Sequence, residues 1–389
     1  MTTIIRAAGA HDLLAIVPTL AGFIPERSIV CVAFRGTRSA GVLRHDLPRR
    51  AAERQAVVSA IIGTLCRMPG VDAVVPIAYT DATFGATRRF PERALLSLLV
   101  RRIEQAGFVV RDALCHGADA WGSLLDPATP ANGHPVAMID ESSALSRVPG
   151  DARSIGGVAD SSRLPTPDDA TSRAIAEHLA RFDDLERGEA ALAELGAEAD
   201  PVELVEALLE GEPGDQPERR IAWFLHLARR PGIRDAMMLQ FGFGPVVGET
   251  ALDDAFETAA VAERTGETVD QVVRRRHADD PGETVSDLLA RLLLGQTSIR
   301  PDADRVRRAL DVVRCAAAHA PDGHRGPPLC VAAWLAWALG MGSAAGALLE
   351  QAISAEPDLS MAGLLASFIG SGALPEWAFS RPGSDVSDR

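Results

Sequence analysis

Three consecutive residues, Arg44, His45 and Asp46, form the first group in this chain whose side chains could do chemistry. The run around them, GVLRHDLP, is typical of a strand that Pro48 closes. Side chains alternate across a strand, so Arg44 and Asp46 share one face and His45 lies on the other. Two interpretations stay open: the pair binds a polar ligand, or it is a salt bridge that fixes the following loop.

A second candidate, Asp81, directly follows an apolar strand and precedes a helix. Ligand-binding groups of α/β sheets usually stand at this position, although the residue could instead cap a helix or a turn. Thr87, Arg88 and Arg89 begin the next helix, where backbone N–H groups and guanidinium groups can bind an anion. The alternative for these three residues is a basic surface without a function.

Trp121 is the last candidate ligand-binding residue, in a region that also holds His116 and His134. Neither histidine has a partner at metal-ligand spacing, so we expect no metal site. The serine pairs at 142–143 and 161–162 lack the setting of a nucleophile elbow. The run FGFG at 241–244 lacks the spacing of a dinucleotide fingerprint, and we expect a glycine-rich loop between two helices over 241–248. The sequence therefore yields no catalytic residues and no cofactor.

Composition excludes several classes of protein. The 39 basic residues are all arginine, which rules out a phosphate-binding lysine and a lysine Schiff base. Residues 1–125 hold 15 Arg against 10 Asp and Glu, a net +5, whereas the remainder holds 24 against 43, a net −19. Such an acidic chain disfavours nucleic-acid binding. Three interpretations stay open: the basic residues 1–125 dock on the acidic remainder, bind a small anion, or form an ordinary solvated surface.

The five cysteines are widely spaced without a CxxC pair, which indicates a reducing cytoplasm. The start of the chain lacks a signal-peptide pattern, and the longest late apolar run, 329–341, is too short to cross a bilayer. We therefore expect a cytoplasmic protein without a membrane contact.

The elements that must position these residues divide into two regions. The sequence predicts an α/β domain with a mixed sheet over 1–125, an irregular linker over 126–167, a helical domain over 168–379 and a disordered tail over 380–389. Pro76 lies within the strand predicted for 71–80, which suggests an edge strand or a bulge. The predicted helices are 10–20, 51–68, 91–106, 168–195, 201–210, 217–229, 233–241, 251–264, 268–276, 283–293 and 302–319, and the predicted strands are 28–34, 40–45, 71–80, 108–115 and 120–124.

Two further helices, predicted over 328–357, resemble a tetratricopeptide repeat. Ala333, Ala345 and Ala352 stand at its small-residue positions, and Leu349 stands at its large apolar position. Small residues are needed there because helix backbones approach closely at a crossing. The chain departs from the repeat at Ala336, where an aromatic residue is usual. Two interpretations stay open: a hairpin that completes the core, or a surface that docks a peptide.

The chain as a whole resembles an actinobacterial family, the domain-of-unknown-function family 4192. The residues that carry the resemblance are 12–14, 17–18, 20, 22–23, 25, 28–30, 43–44, 46–48, 79–81, 111–114, 121, 123, 333–357 and 375. The resemblance implies a cytoplasmic actinobacterial protein and implies no activity. After Trp121 the chain has Gly-Ser-Leu-Leu, where the family leads us to expect a second aromatic residue and a cysteine.

These observations favour a non-enzymatic binding or regulatory protein that uses its helical region as a surface for a protein partner. The alternative is an enzyme or a sensor of a small anionic ligand, with its site at the strand ends near Arg44, Asp46, Asp81 and Trp121. The alternative predicts that these four side chains converge in one pocket.

Overall fold

A computed structural model describes residues 7–87, 90–148, 162–279 and 284–379 of the 389-residue chain. The chain divides into two compact units, Met1–Ser161 and Ser162–Arg389. The first contains a mixed sheet with helices and the second is mostly helical, which confirms the predicted fold class. The stretch 126–148 from the predicted linker adds a strand and a short helix to the first unit. Arg88, Arg89 and the predicted tail lie outside the described residues.

Seven strands form the sheet of the first unit in the part of the chain that the structure describes. Their order is β2-β1-β3-β5-β6-β7, and β4 pairs with β3 beside β5. β3 runs parallel to β4 and β5, and all other neighbours are antiparallel. The strands are β1 Ser28–Arg35, β2 Arg38–Asp46, β3 Ala73–Tyr79, β4 Val109–Val110, β5 Leu114–His116, β6 Ala120–Ser123 and β7 His134–Pro135.

Helices cover both faces of this sheet. They are α1 Ala10–Ala21, α2 Arg54–Arg67, α3 Phe84–Thr87, α4 Arg93–Gln105 and α5 Ala137–Asp140. On one face Ile29 and Cys31 of β1 pack against α2 and α4, and on the other Val30 and Val32 pack against α1. After Ser28, residues 29–34 of this strand are all apolar because both its faces are buried.

Pro76 does not lie on an edge strand, because β3 runs between β1 and β5. The carbonyl of Val74 accepts a hydrogen bond from Arg111 N, so the backbone polar groups of Val74 and of Pro76 point to the side of β4 and β5. On that side the partner chain is interrupted between β4 and β5. Pro76 is tolerated there because its missing N–H falls where no strand partner requires it.

The second unit contains twelve helices within the described residues. They are α6 Asp169–Asp183, α7 Leu185–Leu195, α8 Pro201–Glu210, α9 Glu218–Ala228, α10 Pro231–Phe243, α11 Pro245–Thr265, α12 Val269–Asp279, α13 Val285–Leu293, α14 Ala303–His319, α15 Gly326–Ala338, α16 Gly342–Ala355 and α17 Ser360–Gly370. The helix predicted over 168–195 is in fact divided at Asp184. The predicted glycine-rich loop at 241–248 is wrong, because Gly244 alone separates α10 from α11.

Helix α15 is the centre of this unit, and every one of its residues is buried. It packs against α14, α16 and α17 in one large hydrophobic core. This burial on all sides explains why the run at 329–341 is apolar without periodicity. In the portion of the chain that is described, no helix is long and apolar enough to span a membrane.

Candidate functional site

A single row of side chains crosses the sheet of the first unit at the carboxyl ends of β2, β3 and β5. Residues directly opposite each other on paired strands project to the same side of a sheet. The row therefore lies on the face that α1 covers. From β2 to β7 this row, called here the edge row, consists of Asp46, Ser28, Tyr79, His116, Trp121 and His134.

Aromatic rings stack along the edge row. The ring centroids of Tyr79 and His116 are 5.4 Å apart with an interplanar angle of 23°. Those of Trp121 and His134 are 4.6 Å apart at 30°. The ring of His11, from α1, lies 6.3 Å from that of Trp121. The middle of the edge row is thus a layer of aromatic and imidazole rings beneath α1.

Three polar atoms of the edge row are buried without a hydrogen-bond partner among the described residues: Ser28 Oγ, Tyr79 OH and Trp121 Nε1. The exposed fractions of these residues are 0%, 6% and 5%. Buried polar groups of native proteins nearly always have a partner, so three such atoms in one row require an explanation. Burial also raises the pKa of the Tyr79 phenol, which stays protonated and able to donate.

Arg44 and Asp46 form an ion pair on β2, with 2.7 Å between Arg44 Nη2 and Asp46 Oδ1. The guanidinium of Arg44 lies 5.8 Å from the ring centroid of Phe23. Only 15% of the Arg44 side chain is exposed, against 81% for Asp46. Both project to the α1 face, as predicted from strand alternation, and His45 points to the opposite face with its register partner Ile29.

Asp81 follows β3, and its Oδ2 lies 3.6 Å from Arg27 Nη1. Both side chains are more than 70% exposed, so this ion pair contributes little to stability. Asp81 does not cap the next helix: the carboxylate of Asp119 accepts hydrogen bonds from Phe84 N at 2.8 Å and Gly85 N at 3.0 Å. Capping thus comes from a residue distant in sequence.

The four residues that the sequence selected lie at one edge of the sheet but not around one point. Asp46 and Trp121 are separated by three intervening strands, a distance of about 19 Å at the usual strand spacing. Ser28 and Tyr79 were not among the residues selected from the sequence, and His116 was considered only as a metal ligand. One signal was available, because Tyr79 is the only tyrosine of the chain and ends a buried strand.

Thiol and metal chemistry have little support at this edge. Burial raises the pKa of the Cys31 and Cys115 thiols to about 12, so neither is a thiolate at neutral pH. Across the described ranges, no group of three or more His, Cys, Asp and Glu side chains is arranged to hold a metal ion.

Acidification is expected to destabilise the protein through its partly buried histidines. Burial is the main cause of the lowered pKa of His45, His116 and His226. Below pH of about 6.5 the unfolded chain takes up these protons first, so stability present above that pH is lost as pH falls toward the folded-state pKa values. Urea unfolding at several pH values between 7.5 and 5 measures this loss.

The variant His116→Phe keeps a ring beside Tyr79 and removes one titrating group. We expect a shallower fall in the urea midpoint than in the unmodified protein over the same pH range. An unchanged slope would show that His116 does not contribute. Carboxylates with a lowered pKa, such as Asp12 and Asp119, lose their contribution to stability at lower pH. The loss of stability caused by histidine protonation can therefore be measured separately.

Comparison with known proteins assigns the chain to a family. No curated protein and no solved structure matches it significantly. One family model matches residues 11–376, which includes α1, the whole sheet and the helical unit through α17. The chain therefore belongs to the family described as Domain of unknown function (DUF4192).

Proposed function

We propose that this chain is a non-enzymatic binding or regulatory protein of the cytoplasm, and that its helical unit docks a protein partner as an extended peptide. The observation that carries the proposal is that the helical unit already holds a segment of its own chain that is neither helix nor strand. This segment, residues 162–168, has the sequence SRLPTPD and is called here the strap.

The strap is bound mainly through its backbone. Gln351 Nε2 of α16 donates to the carbonyl of Ser162 at 3.1 Å, and Arg314 of α14 donates to the carbonyl of Arg163. At the other end, Asp168 N donates to His319 Nε2 at 3.2 Å. Contacts to backbone groups do not depend on side-chain identity, so a different extended peptide can make the same hydrogen bonds.

One side chain of the strap, Leu164, supplies the apolar contact. It packs against the helical core and lines a cleft of about 260 Å³. The other lining residues are Arg325, Leu329, Gln351, Ser354 and Ala355. A leucine flanked by backbone-bonded residues is thus the pattern that a partner peptide would need to present.

The tetratricopeptide-like character of the hairpin formed by α15 and α16 belongs to the same proposal. Ala333, Ala345 and Ala352 are fully buried where these helices pack together, which supports the requirement for small residues at the crossing. The bulk of Trp334 and Trp337 supports their role in place of the aromatic residue missing at Ala336. An actinobacterial source is supported by the use of arginine alone as the basic residue.

A labelled peptide tests whether the strap site accepts a partner. We expect the full-length variant Leu164→Asp to bind a fluorescein-labelled SRLPTPD peptide at least about 10-fold more tightly than the unmodified protein. In the unmodified protein the attached strap competes at an effective concentration on the order of millimolar. Fluorescence polarisation measures both affinities. Point variants are preferable to deletion of the hairpin, because α15 is entirely buried.

Adding Gln351→Ala to Leu164→Asp serves as the site-specific control. Loss of its hydrogen bond to the strap backbone should weaken peptide binding by about fivefold. The matched control is Arg307→Ala on α14, whose side chain is 62% exposed and pairs with Asp304 of the same helix, and it should leave affinity unchanged. Equal peptide binding by the unmodified protein and Leu164→Asp, or no effect of Gln351→Ala, would refute the proposal.

A second candidate function, an enzyme or a sensor of a small anionic ligand, has its own supporting observation. Arg44, Asp46, Asp81 and Trp121 do not lie around one point, but all four lie along the edge where β2, β3 and β5 end, and α/β sheets bind ligands at such edges. The net +5 of residues 1–125 is favourable for an anion. The acidic total charge opposes nucleic acid as a partner, and nothing in this proposal requires a membrane.

A further inference from the structure

The three unpaired polar atoms of the edge row are the feature of the molecule that the proposed partner surface leaves unexplained. Ser28 and Tyr79 are opposite each other on adjacent strands, and Tyr79 and Trp121 flank His116 in the same row. All three side chains are at least nine-tenths buried. Three of their polar atoms have no hydrogen-bond partner within residues 7–87 and 90–148: Ser28 Oγ, Tyr79 OH and Trp121 Nε1.

The other tryptophans of the chain show how this protein normally treats a buried indole. The sequence contains five tryptophans, and the four in the helical unit each donate their indole N–H to a backbone carbonyl. The donor–acceptor pairs are Trp223 to Ala199 at 3.2 Å, Trp334 to Leu293 at 2.8 Å, Trp337 to Ala373 at 2.7 Å and Trp377 to Ala338 at 3.2 Å. Trp121 departs from this pattern, because its indole N–H has no acceptor among the described residues. The hydroxyl of Tyr79, the only tyrosine of the chain, likewise has no partner there.

The chemistry of the three groups defines the ligand. An indole N–H can only donate, and a buried phenol and a serine hydroxyl can each donate one hydrogen bond. Trp121 therefore requires an acceptor, and a ligand that presents acceptor oxygens can also accept from the two hydroxyls. Hydrogen bonds to a charged acceptor are roughly twice as strong as those between neutral groups, so a carboxylate or phosphate group fits best.

Two of the carboxylates near the site are paired with arginines. Asp46 and Asp81, two exposed carboxylates near this edge, lie 2.7 Å from Arg44 and 3.6 Å from Arg27, so each is paired with a guanidinium group. A third exposed carboxylate, Asp140, lies near His116, and an anion must bind in spite of it. The site stands at the carboxyl ends of the parallel strands β3 and β5, the side on which α/β sheets bind ligands.

We infer that Ser28, Tyr79 and Trp121 line a binding site for a small molecule whose carboxylate or phosphate oxygens reach Ser28 and Tyr79 at one end and Trp121 at the other. Ser28 and Tyr79 are on adjacent strands, and Trp121 lies two strands from Tyr79, about 10 Å at the usual strand spacing. This inference rests on the second candidate function. It adds Ser28 and Tyr79 to that site, and Trp121 is one of the four residues already selected from the sequence. The neighbouring His116 and His134 rings stack on Tyr79 and Trp121 and hold them in place.

Indole N–H resonances of the full-length, ¹⁵N-labelled protein test the site directly. Sodium phosphate and sodium succinate are titrated separately, against sodium chloride at matched ionic strength. We expect one of the two to move the Trp121 signal saturably, while the other four tryptophan signals stay in place as internal controls. Trp121→Phe identifies the signal by removing it. No movement of the Trp121 signal up to about 50 mM of either probe would overturn the inference.

Tyr79→Phe supplies the decisive variant. We expect it to weaken the responding probe at least about fivefold, because one hydrogen bond is lost. Without a probe it should melt at the same or a higher temperature, because an unpaired buried hydroxyl is removed. A lower melting temperature would show that the hydroxyl has a structural partner and would overturn the inference. An anion response that persists unchanged in Tyr79→Phe would also overturn it, while leaving the second candidate function intact at Arg44 or Asp81.

Discussion

Replacing Trp337 with alanine is expected to lower the unfolding free energy of the helical unit by about 4 kcal/mol. Trp337 is 1% exposed on the central helix α15, and its ring meets those of Phe368 and Trp377 at centroid distances of 5.3 and 5.8 Å. Its indole N–H donates to Ala373 at 2.7 Å. The substitution leaves a large cavity, removes these contacts and leaves a carbonyl without its donor.

Hydrogen exchange resolved by segment measures this effect in the helical unit alone, since two units need not unfold together. Protection of α15 and α16 should fall in Trp337→Ala. The control is Leu364→Ala on the neighbouring helix α17, whose side chain is 71% exposed and whose effect should stay within about 0.5 kcal/mol. Equal protection in the two variants would contradict the central position assigned to α15.

Replacing Gly133 with alanine should lower the stability of the first unit by about 3 kcal/mol. The backbone of Gly133 has φ of +73°, where an L side chain is strained. An added Cβ would lie 2.7 Å from Ala120 Cβ and 2.9 Å from Trp121 O. Because these contacts are to the strand that carries Trp121, relief of the clash must move the edge row.

The control Gly36→Ala separates backbone strain from the steric clash of the added Cβ. Gly36 also has a positive φ, +51°, but an added Cβ would meet nothing within 4 Å, so only the backbone cost of about 1 kcal/mol applies. Chemical denaturation of both variants, with exchange protection of β6 as the local readout, gives the comparison. Equal losses of unfolding free energy for the two substitutions would mean that the clash at Gly133 does not affect stability.

Local patterns in the sequence predicted the fold class and most elements of the first unit. The run at 28–34, apolar on both faces after Ser28, predicted an interior strand, and β1 has both faces buried. Strand alternation predicted that Arg44 and Asp46 share a face, because the period of two is a property of any strand. Family membership was also visible, since the resemblance rests on ordered residues along most of the chain.

Tertiary structure decided what the local patterns could not. Pro76 lies in an interior strand because β4 and β5 leave a gap beside it, which no residue near Pro76 encodes. Asp119, and not Asp81, caps α3 because the turn between β5 and β6 brings it there. Gly244 joins two helices where a loop was predicted, because the packing of α10 against α11 overrides the local glycine signal.

The sequence by itself determined an α/β unit, a helical unit, the ion-pairing face of β2 and the exclusion of lysine chemistry. Only the tertiary structure placed Ser28, Tyr79, His116 and Trp121 in one row, because that row depends on the register of strands far apart in the chain. A shift of one residue in any pairing would turn a strand's side chains to the other face. Register is a property of the assembled sheet, so the candidate site became visible only with the fold.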